Sequence, residues 1–350
     1  PDAAVTPAKV SQNLGRRNLI INGAMRVDQR NGGAAIATGY AVDRFTYASS
    51  GTGVITAQQV SDAPVGFDKS LKLTVTTADT SLAATDWYDV AYNVEGNNVA
   101  HLKWGTSEAK GVTLSFWVKA SVTGTYSMEL RSASGTQVSY TFDYTVPDTG
   151  WNKIEQTISG ATIGTWNTGT STNIAFIIPI GTGSNYTTTT TDTWQTGNYN
   201  ASTSAINLLA TVNATFQITG FQLEEGKVAT PFEHRSYGEE LALCQRYYQR
   251  YTSGSAYHNF GTATCQGAND HRMPFPFPVA MRTAPSFTSG GAFAVLGNSK
   301  VFSSVEINDA NSEQIANVRV TTTTSNTSGY SVVLRASNDA AAYLSFDAEL

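Results

Sequence analysis

One internal segment divides the chain into a longer and a shorter β-rich part. Residues 221–251 read FQLEEGKVATPFEHRSYGEELALCQRYYQRY, which predicts a strand ending at Gly226, an extended turn at Pro231 and then a helix. Ser236 is a good N-cap, and Glu239, three residues later, completes a capping box. We therefore expect a helical junction between two β-rich domains.

The predicted junction helix covers residues 236–253. Side chains recur at helical spacing along it, namely Leu241, Cys244, Tyr248 and Tyr251, and Gly254 is suited to end it. Two cysteines, Cys244 and Cys265, are too few to scaffold a chain of 350 residues with disulfides. Cys244 is therefore expected to be a buried, reduced thiol on the apolar face of the helix.

The composition favours strands over helices on both sides of the junction. The chain has 47 Thr, almost as many as its 49 Lys, Arg, Asp and Glu together, and only 14% of its residues are charged. A typical soluble protein has about 25% charged residues. Thr, Ser, Gly and aromatic residues form strands and turns, so the predicted fold class is all-β. A length of 350 residues with 41% hydrophobic residues is enough for about two domains with cores of their own.

Short alternating segments predict the strands of the longer part. The clearest is 112–119, where Val112, Leu114, Phe116 and Val118 point to one face and Thr113, Ser115, Trp117 and Lys119 to the other. Residues 126–130 follow Gly124 and predict a hairpin partner for that strand. A continuous apolar run, 174–180, predicts a strand buried on both faces. Residues 181–203 are polar and predict a long loop, and residues 214–224 predict the last strand.

Strands separated by turns in this way are typical of a two-sheet sandwich of jelly-roll type. The shorter part, residues 254–350, is again rich in strands and predicts a smaller β-sandwich. Within it, the four prolines of the segment 274–287, PFPFPVAMRTAPSF, are expected to keep the chain extended and away from any central strand.

Charge and hydropathy argue against two classes of partner. The net charge is −5, and no Lys/Arg cluster is dense enough to follow phosphates, so we expect no nucleic-acid binding. No apolar run approaches the roughly 20 residues of a membrane span, so no membrane insertion is expected. The start PDAAVTPAKV has neither a Met nor the pattern of a signal peptide, and is typical of a processed product or of the later part of a longer chain.

Few residues are candidates for metal binding or catalysis. His258, Cys265, Asp270 and His271 do not match a zinc pattern, so we predict no metal and no cofactor. Carboxylate pairs that could serve glycan hydrolysis are Asp89 with Glu95 and Glu224 with Glu225. Strand alternation sends the neighbours Glu224 and Glu225 to opposite faces, and a strand end at the domain junction explains them better. The chain is therefore predicted to have no enzymatic activity.

Aromatic residues carry the stronger signal, because sugars lay their apolar faces on exposed rings while polar groups bind their hydroxyls. Trp117 shares its strand face with polar residues, and Trp194 and Tyr199 lie in the long polar loop. These three are the candidate glycan-binding residues, although a single Trp is more often part of a core or an interface. Three tyrosines of the junction, Tyr247, Tyr248 and Tyr251, are expected to be core residues or to line a subunit interface.

Several phrases of the sequence resemble bacteriophage tail-fibre and related virion proteins. The junction QLEEGKVATPFEHR…GEELALCQRYY resembles theirs, as do NLIINGAMRVDQR…GYAVDRF, GVTLSFWVKAS, VPDTGWNKIEQTI and FQITGFQLEEG. Ala24 and Met25 depart from the polar-aromatic pair that is more usual in that family. The likeness spans about residues 18–235, and the later PFPFPVAMRTAPSF and LSFDAEL resemble the ends of phage fibres.

The resemblance implies a specific organisation and role. It implies a lead-in over 1–17, a carbohydrate-binding-module-like jelly roll over 18–235, the junction helix over 236–253 and a C-terminal β domain over 254–350. It also implies a homotrimer in a virion, with other virion proteins and a host-surface glycan as partners, and a role in attachment. Two alternatives remain, a purely structural capsid or tail decoration protein and a glycan depolymerase.

Overall fold

The computed structural model describes residues 16–296, 301–308, 311–323 and 329–350, so all but the last two residues of the predicted lead-in lie outside the described part. The chain divides into an N-terminal unit that ends at Glu240 and also includes Leu350, and a C-terminal unit over Leu241–Glu349. Among the described residues, no helix is long and apolar enough to cross a membrane.

Two large sheets and one two-stranded sheet build the N-terminal unit. Its strands are β1 Gly39–Val42, β2 Phe45–Ser50, β3 Val54–Val60, β4 Ser70–Thr77, β5 Trp87–Glu95, β6 Val112–Ala120, β7 Gly124–Ser132, β8 Val138–Val146, β9 Asn152–Ile158, β10 Thr172–Thr182, β11 Thr187–Thr188, β12 Trp194–Thr196, β13 Ala201–Ser202 and β14 Thr215–Glu225. A seven-stranded sheet has the order β1-β2-β5-β10-β7-β8-β12, and a five-stranded sheet has the order β3-β4-β14-β6-β9. A short helix, α1, covers Gly96–Val99, and 3₁₀ turns cover Ala100–Leu102, Ser184–Tyr186 and Leu208–Ala210.

The inner faces of the two large sheets share one hydrophobic core. The four apolar residues predicted to face inward from β6 are fully buried; on the opposite face Thr113 and Ser115 are buried as well, while Trp117 and Lys119 keep part of their surface exposed. Phe221 of the five-stranded sheet crosses to the other layer, with ring centroids 5.8 Å from Phe45 and 5.5 Å from Phe176. The predicted all-β jelly-roll sandwich is confirmed, and residues 174–180 are buried along β10 as expected for a strand covered on both faces.

Two local predictions about this unit are wrong. Strands β6 and β7 do not form a hairpin, because β6 pairs with β9 and β14 whereas β7 pairs with β8 and β10 in the other sheet. The turn at Gly124 therefore carries the chain across the sandwich. The segment 181–203 is not one long loop, since it contains β11, β12 and β13, and β12 pairs with β8 at the edge of the seven-stranded sheet.

The C-terminal unit is a smaller sandwich, preceded by a helix that starts in the junction. Helix α2 covers Tyr237–Gln245, and the strands are β15 Tyr248–Thr252, β16 Asn259–Gly267, β17 Asp270–Pro276, β18 Ser286–Gly290, β19 Phe293–Leu296, β20 Phe302–Ile307, β21 Ile315–Thr322, β22 Ser331–Ala336 and β23 Tyr343–Asp347. They form a three-stranded sheet, β15-β23-β18, and a six-stranded sheet, β19-β22-β16-β17-β21-β20. Phe346 of β23 packs its ring 5.2 Å from that of Phe275 of β17, so the two layers share a core.

The junction helix is shorter than its predicted span of 236–253. Its capping box is confirmed, since the Ser236 amide donates to Glu239 Oε2 at 2.9 Å and the Glu239 amide donates to Ser236 Oγ at 3.3 Å. The helix ends at Gln245, and Tyr248 and Tyr251 then lie on β15, paired with β23. Helical spacing over two turns was overridden there by pairing with a strand almost a hundred residues later, and Gly254 follows a strand rather than a helix.

The proline-rich segment also departs from its prediction, because Pro274 and Pro276 belong to β17, an internal strand of the six-stranded sheet. The register explains why prolines are tolerated. Pairing of β17 with β16 stops at Arg272, whereas pairing with β21 continues to Pro276. The prolines therefore lie where the strand has one neighbour, and a missing N–H removes no bond on the open side.

Candidate functional site

Trp117 lies on the outer face of the five-stranded sheet, as the alternation of β6 predicts. Its neighbours across the ladders are Thr219 of β14 and Lys153 of β9. The indole is half-buried, while Lys153 is exposed. Trp117 is therefore a large ring that the sheet holds in place and that still meets solvent.

A glycine makes room for this ring. The β14–β6 register shifts between Thr219 and Gln222, and Gly220 within this bulge has φ +64°. A Cβ at this position would lie 2.8 Å from Phe67 Cζ and 3.0 Å from Trp117 Cδ1. Both aromatic side chains thus approach the backbone of β14 more closely than any other residue at position 220 would allow.

Two further rings complete an aromatic group. The centroid of Phe67 lies 5.0 Å from that of Phe232 and 5.3 Å from that of His234, and Phe232 and His234 lie 4.9 Å apart. Together with Trp117 they surround a shallow cavity of about 210 Å³, which we call the Trp117 pocket. Its lining residues are Val65, Gly66, Phe67, Ser115, Phe116, Trp117, Lys153, Gly220, Thr230, Phe232 and His234.

Hydrogen bonds fix the segment that brings Phe232 and His234 to the sheet. Thr230 donates to the carboxylate of Glu224 through its amide at 2.8 Å and its hydroxyl at 2.7 Å. The amide of Glu233 donates to Gln222 Oε1 at 2.8 Å. The extended turn predicted around Pro231 is thereby attached to the outer face of β14, and one wall of the pocket is held rigidly.

The carboxylate of Glu233 adds a second anchor. It accepts the backbone amides of Asn18 at 2.8 Å and Arg17 at 3.2 Å and forms an ion pair with Arg235 at 3.0 Å. Partial burial acts to raise the pKa of Glu233, but these donors outweigh burial and lower it. The side chain therefore stays ionised and ties the start of the unit to the segment 230–235.

Polar groups continue the same sheet face beyond the rings. Asp62 accepts hydrogen bonds from Lys119 Nζ at 2.8 Å, Gln217 Nε2 at 3.2 Å and Trp151 Nε1 at 3.3 Å. The bond from Lys119 is the main reason why the pKa of Asp62 is lowered. Rings beside amides, an ammonium and a carboxylate are the combination that binds a sugar, whose ring has apolar C–H faces and polar hydroxyls.

Trp194 is not the exposed platform that its place in a polar segment predicted. Its ring meets those of Trp104 and Trp166 at 5.3 and 5.5 Å, and these two lie 4.8 Å from each other. Each indole N–H donates to a backbone carbonyl, that of Trp194 to Ser159 at 2.8 Å. The three indoles, which we call the Trp triad, pack edge to face and close one end of the sandwich, so a half-buried Trp194 acts mainly in packing.

Tyr199 is also half-buried. Its carbonyl accepts from Thr141 Oγ1 at 2.6 Å and its amide donates to Ser139 Oγ at 3.3 Å, so the backbone around it is held on the outer face of the seven-stranded sheet. Trp117 and Tyr199 therefore lie on different sheets, and the structure does not bring the three predicted glycan-binding residues together.

The junction tyrosines are mostly core residues. Tyr247 and Tyr248 are buried, with 0% and 6% of their surface exposed. Tyr251 is half-buried, and its ring lies 4.7 Å from that of Phe275 and 6.1 Å from that of Phe346. The core alternative of the sequence prediction describes Tyr247 and Tyr248 well, and only Tyr251 keeps surface for a subunit contact.

The acids nominated for hydrolysis are engaged elsewhere. Asp89 and Glu95 are buried. Glu224 and Glu225 line a cavity of about 480 Å³, but Glu224 is bonded to Thr230, and Glu225 forms an ion pair with Lys110 at 3.0 Å. Within the part of the chain that the structure describes, no group of three or more His, Cys, Asp or Glu side chains is placed to hold a metal ion.

Sequence reasoning found Trp117 but missed the other members of its pocket. Phe67, Phe232 and His234 are far apart in sequence, and only the path of the chain after β14 brings the last two to the sheet. A usable signal was present in the segment PFEH, where two rings flank one polar residue shortly after a strand with polar outer positions.

Comparisons with known proteins give distant structural likenesses only. No protein-family model matches the chain, and no curated protein sequence matches it. It is similar to the enzymatically active domain of tailspike protein 4 of bacteriophage CBA120, with 14% identity, 60% of this chain and 21% of that chain covered, and a TM-score of 0.34. The chain thus spans about a fifth of that tailspike structure.

Carbohydrate-binding modules are also among the similar structures. The family 11 module of the cellulase Lic26A-Cel5E of Clostridium thermocellum shares 11% identity, with 58% of this chain and 99% of that chain covered and a TM-score of 0.30. TmCBM61, solved in complex with β-1,4-galactotriose, shares 10% identity, with coverage of 60% and 100% and a TM-score of 0.31. At TM-scores below 0.5 these likenesses carry no argument about function.

Proposed function

We propose that this chain is a non-catalytic, glycan-binding virion protein of a bacteriophage, most simply part of a tail fibre, and that it binds sugar in the Trp117 pocket. The observation that carries the proposal is the pocket itself. The half-buried indole of Trp117 and the rings of Phe67 and Phe232 surround it, with polar side chains alongside. The virion assignment is supported by the sequence phrases that resemble phage fibres.

The physical basis is stacking on a rigid floor. Trp117 is held by two neighbouring strands, and the wall formed by residues 230–235 is fixed by bonds to Glu224 and Gln222. Little conformational entropy is then lost when a sugar ring settles on the indole, which favours binding. The pocket is shallow, with a volume of about 210 Å³, so it suits one or two sugar units and weak binding per site.

Weak sites suit a multivalent appendage. A homotrimer present in several copies would raise the avidity by roughly 10²–10⁴ over one site, provided that the sites reach the same cell surface. Partners would then be a host-surface glycan and neighbouring virion proteins. The copy number and the trimer are part of the proposal, and they rest on the resemblance to phage fibres.

The test is binding of the purified chain to a glycan array and to whole bacterial cells. Trp117→Ala is expected to abolish binding, and Trp117→Phe to retain part of it, because a smaller ring still offers a stacking face. Tyr330→Ala, which removes an aromatic side chain that is 52% exposed in the C-terminal unit, serves as the control and should bind normally.

Three results would contradict the proposal. Binding that survives Trp117→Ala would place the glycan site elsewhere on the chain. A folded wild-type chain that binds no glycan and no cell would favour the structural decoration protein, while release of reducing sugar ends from a bound glycan would favour the depolymerase.

A further inference from the structure

A short segment covers part of the outer face of the seven-stranded sheet. Residues 197–203, which we call the strap, follow β12 and contain β13. Ser139 Oγ donates to the carbonyl of Gly197 at 2.7 Å, and the amide of Ser202 donates to Ser127 Oγ at 3.0 Å. The strap is thus attached by side chains of β7 and β8 to a sheet face that is unusually polar.

Two carboxyl groups are buried on this face. Asp89 of β5 is 5% exposed and Glu129 of β7 is 0% exposed. Glu129 has partners, since its Oε1 lies 2.5 Å from Ser139 Oγ, whose single proton is shared between Glu129 and the carbonyl of Gly197, and Arg131 Nη1 lies 3.4 Å from its Oε2. Arg131 also donates to Asn198 Oδ1 of the strap at 2.6 Å. Arg131 therefore pairs with Glu129 and reaches Asp89 only through its long-range charge, so Asp89 has no ion-pair partner among the described residues.

Asp89 makes its contact with the strap through Asn200. The amide nitrogen Nδ2 of Asn200, a residue that is 4% exposed, donates to Asp89 Oδ2 at 2.5 Å. The two remaining oxygens of this pair, Asp89 Oδ1 and Asn200 Oδ1, are both buried and have no hydrogen-bond partner among the described residues. Both oxygens are acceptors if Asp89 is ionised, and a buried anionic oxygen without a donor is strongly unfavourable.

A neutral carboxylic acid resolves this arrangement. Its O–H can donate to Asn200 Oδ1 while its other oxygen accepts from Asn200 Nδ2, and the two planar groups then share two hydrogen bonds. Loss of the proton removes one of these bonds and places a charge beneath the strap. The proton on Asp89 therefore adds one hydrogen bond to the strap and removes a buried charge, in addition to the bonds that the strap makes with Ser139, Ser127 and Arg131.

Burial rather than the surrounding charges supports the neutral form of Asp89. Burial, above all, raises the pKa of Asp89 to about 8, the charge of Arg131 lowers it, the charge of Glu129 raises it, and the bond from Asn200 lowers it. On the other flank, β2 contributes the phenol of Tyr47, whose own pKa is raised by burial and by Asp89. From β10 the partner of Asp89 is Pro179, which has no charge.

We propose that Asp89 and Asn200 form a proton-dependent latch that holds residues 197–203 on the seven-stranded sheet and opens when Asp89 ionises. A raised pKa in the folded state means that the stabilisation is complete below the ordinary Asp pKa and is lost as the pH rises through about 8. Between the ordinary Asp pKa and about 8 the equilibrium constant for opening of the strap should increase about tenfold per pH unit, and above about 8 it should stay constant. Trp117 lies on the other sheet, so this latch is independent of the proposed glycan site.

The test is amide hydrogen exchange of the full chain from pH 6 to pH 10, corrected for intrinsic exchange rates. Protection of residues 198–203 is expected to fall as the pH rises to about 8 and then to level off, while β10 stays protected throughout. Asp89→Asn, which cannot ionise, should keep the strap protected over the whole range. Asp192→Asn removes an exposed carboxylate from the same 181–203 segment and should behave like the wild type.

A second measurement keeps the proposal open to refutation if Asp89→Asn does not fold. The carboxyl carbon of Asp89 in the wild-type chain, followed by NMR, should titrate near pH 8. Titration near the ordinary value of about 4 would overturn the latch. Strap protection that is unchanged up to pH 10 would overturn it as well.

Discussion

Substitution of Gly220 by Ala is expected to destabilise the N-terminal unit and to deform the Trp117 pocket at the same time. The residue has φ +64°, in the left-handed region, where a side chain costs about 1–2 kcal/mol relative to Gly. The new Cβ would also lie 2.8 Å from Phe67 Cζ and 3.0 Å from Trp117 Cδ1. Carbon atoms pack best at about 3.5–4.0 Å, so both rings must retreat by roughly 0.5–1 Å.

Crowding of this kind typically costs about 1–3 kcal/mol. The free energy of unfolding should therefore fall by about 2–5 kcal/mol in Gly220→Ala, the sum of the conformational and the steric contributions. Gly32→Ala is a matched control, because Gly32 has φ +56° but no atom lies within 4 Å of the position that its Cβ would take. It should lose only the conformational part, about 1–2 kcal/mol.

The assay is denaturant unfolding followed by tryptophan fluorescence. All six tryptophans precede residue 200, so their emission reports on the N-terminal unit. Equal losses of stability in the two variants would refute the reasoning, because they would show that the rings have room at Gly220. If the rings do retreat, Gly220→Ala should also bind glycan more weakly than Gly32→Ala.

Three further expectations concern packing, capping and charge. Phe221→Ala removes a fully buried ring between the two sheets and should lower the free energy of unfolding by about 3–5 kcal/mol in the same assay, with a smaller loss in Phe221→Leu. Ser236→Ala should weaken the start of α2 by about 0.5–2 kcal/mol, seen as faster amide exchange in its first turn, whereas Ser236→Gly should cost only a few tenths of a kcal/mol. Lys119→Met should raise the pKa of Asp62 towards its ordinary value in an NMR titration. In the wild type the lowered pKa means that this pair stabilises the fold above the ordinary Asp pKa and that the benefit is lost as the pH falls.

Local patterns predicted those parts of the fold that depend on one strand at a time. Alternation in β6 identified both its buried face and Trp117 on the outer face, and the apolar run of β10 correctly indicated a strand covered on both sides. Ser236 and Glu239 likewise identified the start of α2, because a capping box is complete within four residues.

Non-local pairing decided the parts that the sequence did not predict. Tyr248 and Tyr251 fit a helix by spacing, yet β23 supplies a strand partner and takes them into a sheet. Trp194 lies in a polar segment, but the rings of Trp104 and Trp166, which are distant in sequence, pack against its ring and cover it. Neither partner can be recognised from the residues that flank the affected position, so period and polarity alone were misleading there.

The Trp triad has a consequence for how folding of this chain could be followed. Its three indoles come from segments that are widely separated along the chain, and their ring centroids lie within 5.5 Å of one another. Large loops must close before these rings meet, and closure of long loops is slow relative to local structure formation. Coupling between the indoles in near-ultraviolet circular dichroism should therefore appear late in refolding, after the strands have formed. The time course of this signal would then report directly on closure of the sandwich.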